Sequence, residues 1–152
     1  MFSKQLHIIL LLFLGVSGFA GNPAIHGTWK GYILTSTLDS DNKSGLPVTL
    51  TIIDDNDAGD LMGEMTVQYR YQTDIYKAKY TVEGNIDYEN YHISLEQTGL
   101  IYYDILPKGL QWCFGGGTFN IYRSIYGKKT YLDGYMSSNC GQEKMRMILV
   151  KQ

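Results

Sequence analysis

Apolar and polar residues alternate with a period of two through nearly all of the chain beyond residue 26, and this alternation limits the possible fold more than any other feature. Residues 60–72, DLMGEMTVQYRYQ, place Leu61, Met65, Val67, Tyr69 and Tyr71 on one face, with Met62, Glu64, Thr66, Gln68 and Arg70 on the other. Residues 75–88 repeat the pattern, with Tyr76, Ala78, Tyr80, Val82, Ile86 and Tyr88 set against Lys77, Lys79, Thr81 and Glu83. An extended chain sends successive side chains to opposite faces, so such segments read as antiparallel strands with one face buried. No long stretch carries the three-and-four apolar spacing of a helix, which predicts an all-β protein.

Turn residues divide the chain into eight strands, over 27–37, 46–54, 60–72, 75–88, 91–106, 111–123, 129–138 and 143–151. The links are short: LDSDNKSG, DNDAG, TD, EN, PKG, a turn at Tyr126-Gly127, and NCGQ. Short links pair each strand with its neighbour in sequence, as an up-and-down meander. Long strands leave reactive edges unless the sheet closes, and eight strands suffice for a barrel that is filled by side chains or holds one small ligand. Gly31, Gly63, Gly84 and Gly134 mark places where a curved sheet can bend. The expectation is one domain over residues 21–152, an eight-stranded antiparallel up-and-down barrel.

Residues 1–20 predict an export signal. Lys4 precedes the apolar run IILLLFL at 8–14, and Gly18 and Ala20 supply the small residues of a cut after Ala20. The run is too short to span a bilayer, and no cysteine near the cut would take a lipid. The protein is therefore expected to be secreted or periplasmic, without a stable membrane anchor. In an oxidising compartment its two cysteines, Cys113 and Cys140, are expected to pair. They lie equally far from the Tyr126-Gly127 turn, so a hairpin about that turn brings them opposite each other. In this register the triple glycine at 115–117 falls inside a ladder, with FNIY continuing the strand. A phosphate-binding loop needs a helix to follow its glycines, and none does. Asn42-Lys43-Ser44 forms an N-glycosylation sequon.

The candidate chemistry is sparse. The formal net charge of −2 and the lack of a basic patch argue against nucleic acid as a partner. Beyond the leader only His26 and His92 remain, no nucleophile elbow is present, and both cysteines are committed to a disulfide, so no catalytic residue is expected. The aspartates at 54, 55, 57 and 60, and at 39 and 41, match the needs of tight turns and lack the spacing of an EF-hand, so no metal or other cofactor is expected. The abundance of tyrosine, 13 residues, is more informative. Tyr69, Tyr71, Tyr76, Tyr80 and Tyr88 share the apolar face of the third and fourth strands. Buried hydroxyls need partners, which a ligand or ordered water inside a barrel would supply. Tyr103, Tyr122, Tyr131 and Tyr135 fall to the outside, where aromatic residues suit a protein partner or a sugar face.

One motif carries a resemblance. Residues 26–31 read HGTWKG, and Gly27-Thr28-Trp29 at the start of the first strand resembles the G-x-W signature of lipocalin-like (calycin) barrels. The resemblance implies that Trp29 packs across the closed end and that a basic side chain from a late strand, Arg146 or Arg123, covers it. Avidin-like barrels likewise begin with G-x-W and end in an apolar strand, here KMRMILVK. Lys30 and Gly31 stand where avidin-like proteins carry polar biotin contacts, so biotin is not implied. Fatty-acid-binding proteins also begin in this way, but residues 38–45 are too few for their helical lid. These readings together predict a non-enzymatic binding barrel. A small, partly apolar ligand would sit in a cavity of roughly a few hundred Å3, near Tyr69, Tyr71, Tyr76, Tyr80 and Tyr88, with Trp29 near its floor. The alternative is a filled barrel that engages a protein through its loops or outer aromatics.

Overall fold

The computed structural model describes residues 25–34, 40–55, 59–124, 128–141 and 143–152. The proposed leader, Asp39, Asp57 and the Tyr126-Gly127 turn lie outside the described residues. Eight strands follow in chain order: β1 (Gly27–Leu34), β2 (Leu46–Asp55), β3 (Asp60–Tyr71), β4 (Asp74–Asp87), β5 (His92–Tyr103), β6 (Gly115–Arg123), β7 (Thr130–Ser138) and β8 (Lys144–Lys151). Each pairs antiparallel with the next, and β1 also pairs with β8, so the sheet closes into an up-and-down barrel, the architecture that the calycin resemblance implies. A single 3-10 turn, Ser40–Asn42, is the only helical element among the described residues.

The alternation read from the sequence sets inside from outside. Val48, Leu50 and Ile52 of β2, Leu61, Met65 and Val67 of β3, and Ala78, Tyr80, Val82 and Ile86 of β4 are buried in one continuous core. They are joined by Ile93 and Leu95 of β5, Phe119 and Ile121 of β6, Leu132 and Met136 of β7, and Met147 and Leu149 of β8. Trp29 lies wholly buried near one end, its indole N–H donating to the Ile25 carbonyl at 2.9 Å. The cation above its ring is Lys151, 5.7 Å from the ring centroid, in the cation–π range. Arg146 is engaged elsewhere: its guanidinium makes a two-pronged contact with Asp133 at 2.6 and 2.9 Å, which holds the arginine pKa above its usual value.

Pairs from Gly115↔Ser138 to Arg123↔Thr130 hold the register that the turn and the cysteines require, without a bulge. Just beyond Gly115↔Ser138, Cys113 and Cys140 form the disulfide, with Cα atoms 5.7 Å apart. The triple glycine is a strand that must coil tightly. A Cβ on Gly117 would collide with the Tyr135 carbonyl, and one on Gly134 with the Thr118 carbonyl, which is why neither position has a side chain. Phe119 stands opposite Gly134 and packs over it.

Between β5 and β6 the structure departs from the sequence reading. The link predicted as PKG is the much longer segment 104–114, and residues 111–114, predicted as strand, lie outside the ladder. Skips in the β4–β5 register at Thr98 and Ile101 bend β5, and its pairing with β6 stops at Glu96↔Gly116. Aromatic residues and hydrogen bonds tie the segment down in place of strand pairing. Trp112 Nε1 donates to the Asp104 carbonyl at 2.8 Å, Asp104 exchanges hydrogen bonds with the Lys77 backbone, and Phe114 is held by Asn139.

The sequon also has a structural role. Asn42 is 3 % exposed, and its amide donates to the Arg70 carbonyl at 2.8 Å and accepts from the Arg70 N–H at 3.0 Å. It imitates a neighbouring strand and pins the β1–β2 connection to β3.

Candidate functional site

The starts of β1, β3, β5 and β7 gather at the end sealed by Ile25 and Trp29. The opposite end carries the long segment 104–114 and holds a cavity of about 180 Å3. Ile33, Leu46, Val67, Met136 and Met145 form its apolar wall, while Leu106, Leu110 and Trp112 cover it from the segment. The disulfide reaches the lining through Cys113 and anchors the segment to the end of β7. Below the cavity the core narrows to a void of about 10 Å3 among Met65, Val82, Leu95, Phe119 and Met147, and the space at the mouth is smaller than the sequence analysis suggested.

Of the polar side chains in the lining, Gln97 and Tyr80 are the buried ones. Gln97, 7 % exposed, points inward from β5. Its Oε1 accepts the Gly115 N–H at 2.7 Å, and its Nε2 donates to the Met65 thioether at 3.3 Å, a weak acceptor. The side-chain amide thus does the work of the ladder bond that the β5–β6 seam lacks above Glu96. Tyr80 is 2 % exposed and meets Phe114 edge to face, with ring centroids 5.5 Å apart. Burial pushes its pKa up to about 12, so the phenol is a neutral donor at any ordinary pH. Among the described residues its hydroxyl has no hydrogen-bond partner. A molecule in the cavity would meet an apolar surface, a free phenol donor and an amide N–H whose present acceptor is poor.

The tyrosines singled out from the sequence separate along the barrel. Tyr69 and Tyr80 line the cavity. Tyr76 stands opposite Tyr69 in the ladder, half-buried but outside the lining, and Tyr71 is exposed at the end of β3. Tyr88 packs against the core beyond the end of β4, near the end that Trp29 seals, and neither it nor Trp29 reaches the cavity. On the outer surface Tyr122 and Tyr131 stack at 5.2 Å, and Tyr103 and Tyr135 are exposed. The sequence analysis passed over Gln97, although its place in the inward series Ile93, Leu95, Gln97 marks it as a polar side chain aimed at the core. Leu106, Leu110 and Trp112 left no such signal, because residues in an irregular segment have no period.

The described residues include no helix long and apolar enough to cross a membrane. The disulfide fits an oxidising, extracellular-type environment. No protein-family model, curated protein or solved structure matches the chain.

Proposed function

We propose that the protein is an exported, non-enzymatic binding barrel of the lipocalin- or avidin-like kind, and that it holds one small, largely apolar molecule with a single polar end. The observation that carries this reading is the Tyr80 hydroxyl, which opens into a mostly apolar cavity without a hydrogen-bond partner among the described residues, beside the Gln97 amide. A hydrogen bond from this hydroxyl to a ligand acceptor in the apolar surround is worth about 1 kcal/mol net. The volume of about 180 Å3 sets the size. It slightly exceeds the roughly 150 Å3 apolar cavity known to take benzene, so a single ring or short branched chain fits with its carbonyl or hydroxyl toward Tyr80.

The test uses monocyclic ketones, phenols and carboxamides, followed through the side-chain amide signals of Gln97 and the fluorescence of Trp112 in a Trp29→Phe background. Members of at least one class should shift both signals and bind several-fold to about tenfold more weakly to Tyr80→Phe, the worth of one hydrogen bond. If every compound leaves both signals unmoved at millimolar concentration, the reading fails.

A further inference from the structure

We propose that the unpaired edge of β5, with the acidic groove at its foot, docks an extended polypeptide segment in which an uncharged, β-prone run adjoins a lysine or arginine. This surface is on the outside of the barrel and does not depend on a ligand in the cavity.

The first observation is a strand edge. β5 stays bonded to β4 as far as Tyr103 but to β6 only as far as Glu96. Over residues 97–103 its other edge has no strand partner among the described residues, a length of about 20 Å at roughly 3.3 Å per residue. Natural edges are guarded by charges or proline. Between Glu96 and Asp104 the chain reads QTGLIYY, with neither. Leu100, Ile101, Tyr102 and Tyr103 are 36, 49, 54 and 55 % exposed there. Backbone groups flanked by exposed apolar side chains are what a peptide needs to add itself as a strand.

The second observation is charge. At the foot of this edge, reached through Thr98, an outer groove of about 910 Å3 runs over Gly84, Gly116 and Gly117 and is bordered by Asp60, Glu83 and Glu96. Glu83 and Glu96 stand directly opposite each other in the ladder, an arrangement that like charges disfavour. Glu83 accepts a hydrogen bond from the Thr98 hydroxyl at 3.4 Å, and among the described residues no cation pairs with Glu83 or Glu96. An ammonium or guanidinium entering the groove would relieve that repulsion. The same charges disfavour a second copy as the occupant, because its matching strand is flanked by Glu96 and Asp104 and so offers acids to an acidic groove.

The experiment selects phage-displayed random peptides of about strand length against the purified protein, disulfide intact. Enriched sequences should join β-branched or aromatic residues to a lysine or arginine, and the synthesised peptide should slow amide exchange at residues 97–103. Double reversal, Glu83→Lys with Glu96→Lys, should weaken binding at least about tenfold, as close interfacial charges do. Ile101→Lys, which places a charge on the edge itself, should do the same. Both changes are at exposed positions, and circular dichroism verifies that the barrel persists. The proposal is overturned if nothing is enriched, if enriched sequences lack a base, if the charge-reversed protein binds them equally well, or if protection appears elsewhere. A dimer in sedimentation that Ile101→Lys dissolves would assign the edge to a second copy, and would also overturn it.

Discussion

Replacing Gln97 with leucine tests whether one side chain closes the seam that the backbone leaves open. Gln97 Oε1 accepts the Gly115 N–H at 2.7 Å, at the point where β5 and β6 part company. Leucine removes the acceptor without changing the size of the side chain much. The lost hydrogen bond is worth about 1 kcal/mol net, and a half-buried N–H left without a partner adds a penalty within the range of about 1–3 kcal/mol. Against this, leucine buries apolar surface in place of an amide whose nitrogen meets only the Met65 thioether, a gain of about 1 kcal/mol. The balance is a loss of about 1–3 kcal/mol. With a urea slope of roughly 2 kcal/mol per molar, the unfolding midpoint should fall by about 0.5–1.5 molar at unchanged slope. Hydrogen exchange supplies the local readout: the Gly115 amide should exchange faster, while the Gly117 amide, inside the ladder, should change only by the global loss. An unchanged midpoint together with a still-protected Gly115 amide would refute the argument, because the seam would then be held by something else.

Four further outcomes rest on the same geometry. Asn42→Ala removes both hydrogen bonds to Arg70 and should cost about 2 kcal/mol in urea unfolding, two bonds at roughly 1 kcal/mol each. Because Asn42 is buried, a glycan there and the native barrel exclude each other, so folded protein from a eukaryotic secretory host should run at its unglycosylated mass. Breaking the disulfide by Cys113→Ser with Cys140→Ser should lower stability by roughly 3–4 kcal/mol on the chain-entropy model and loosen the segment over the cavity, read as a lower melting temperature and faster exchange at residues 104–114. Tyr80 ionises near pH 12 in the folded protein and near 10 when unfolded. The stabilisation is complete below pH 10 and disappears as the pH rises through 12, and Tyr80→Phe should flatten that part of the stability profile, followed by absorbance of the phenolate.

The chain's own pattern settled the sheet and its order. Period-two alternation assigned the inward residues Leu61, Met65 and Val67 of β3 and Ala78, Tyr80, Val82 and Ile86 of β4, because a strand has only two faces and one of them is dry. The turn residues set the order, and the equal spacing of Cys113 and Cys140 about Tyr126-Gly127 foretold the register seen from Gly115↔Ser138 onward. These are local properties, each decided within a strand or a hairpin. The mouth depended on the assembled barrel. Whether Tyr69, Tyr71, Tyr76, Tyr80 or Tyr88 faces a cavity depends on height along the axis, and height follows from the stagger of strands around the closed sheet. The bend of β5 at Thr98 and Ile101, the replacement of a backbone bond by Gln97, and the fold of Trp112 over the opening come from side chains distant in sequence competing for the same space. No periodicity records such competition, so only the closed sheet could decide it.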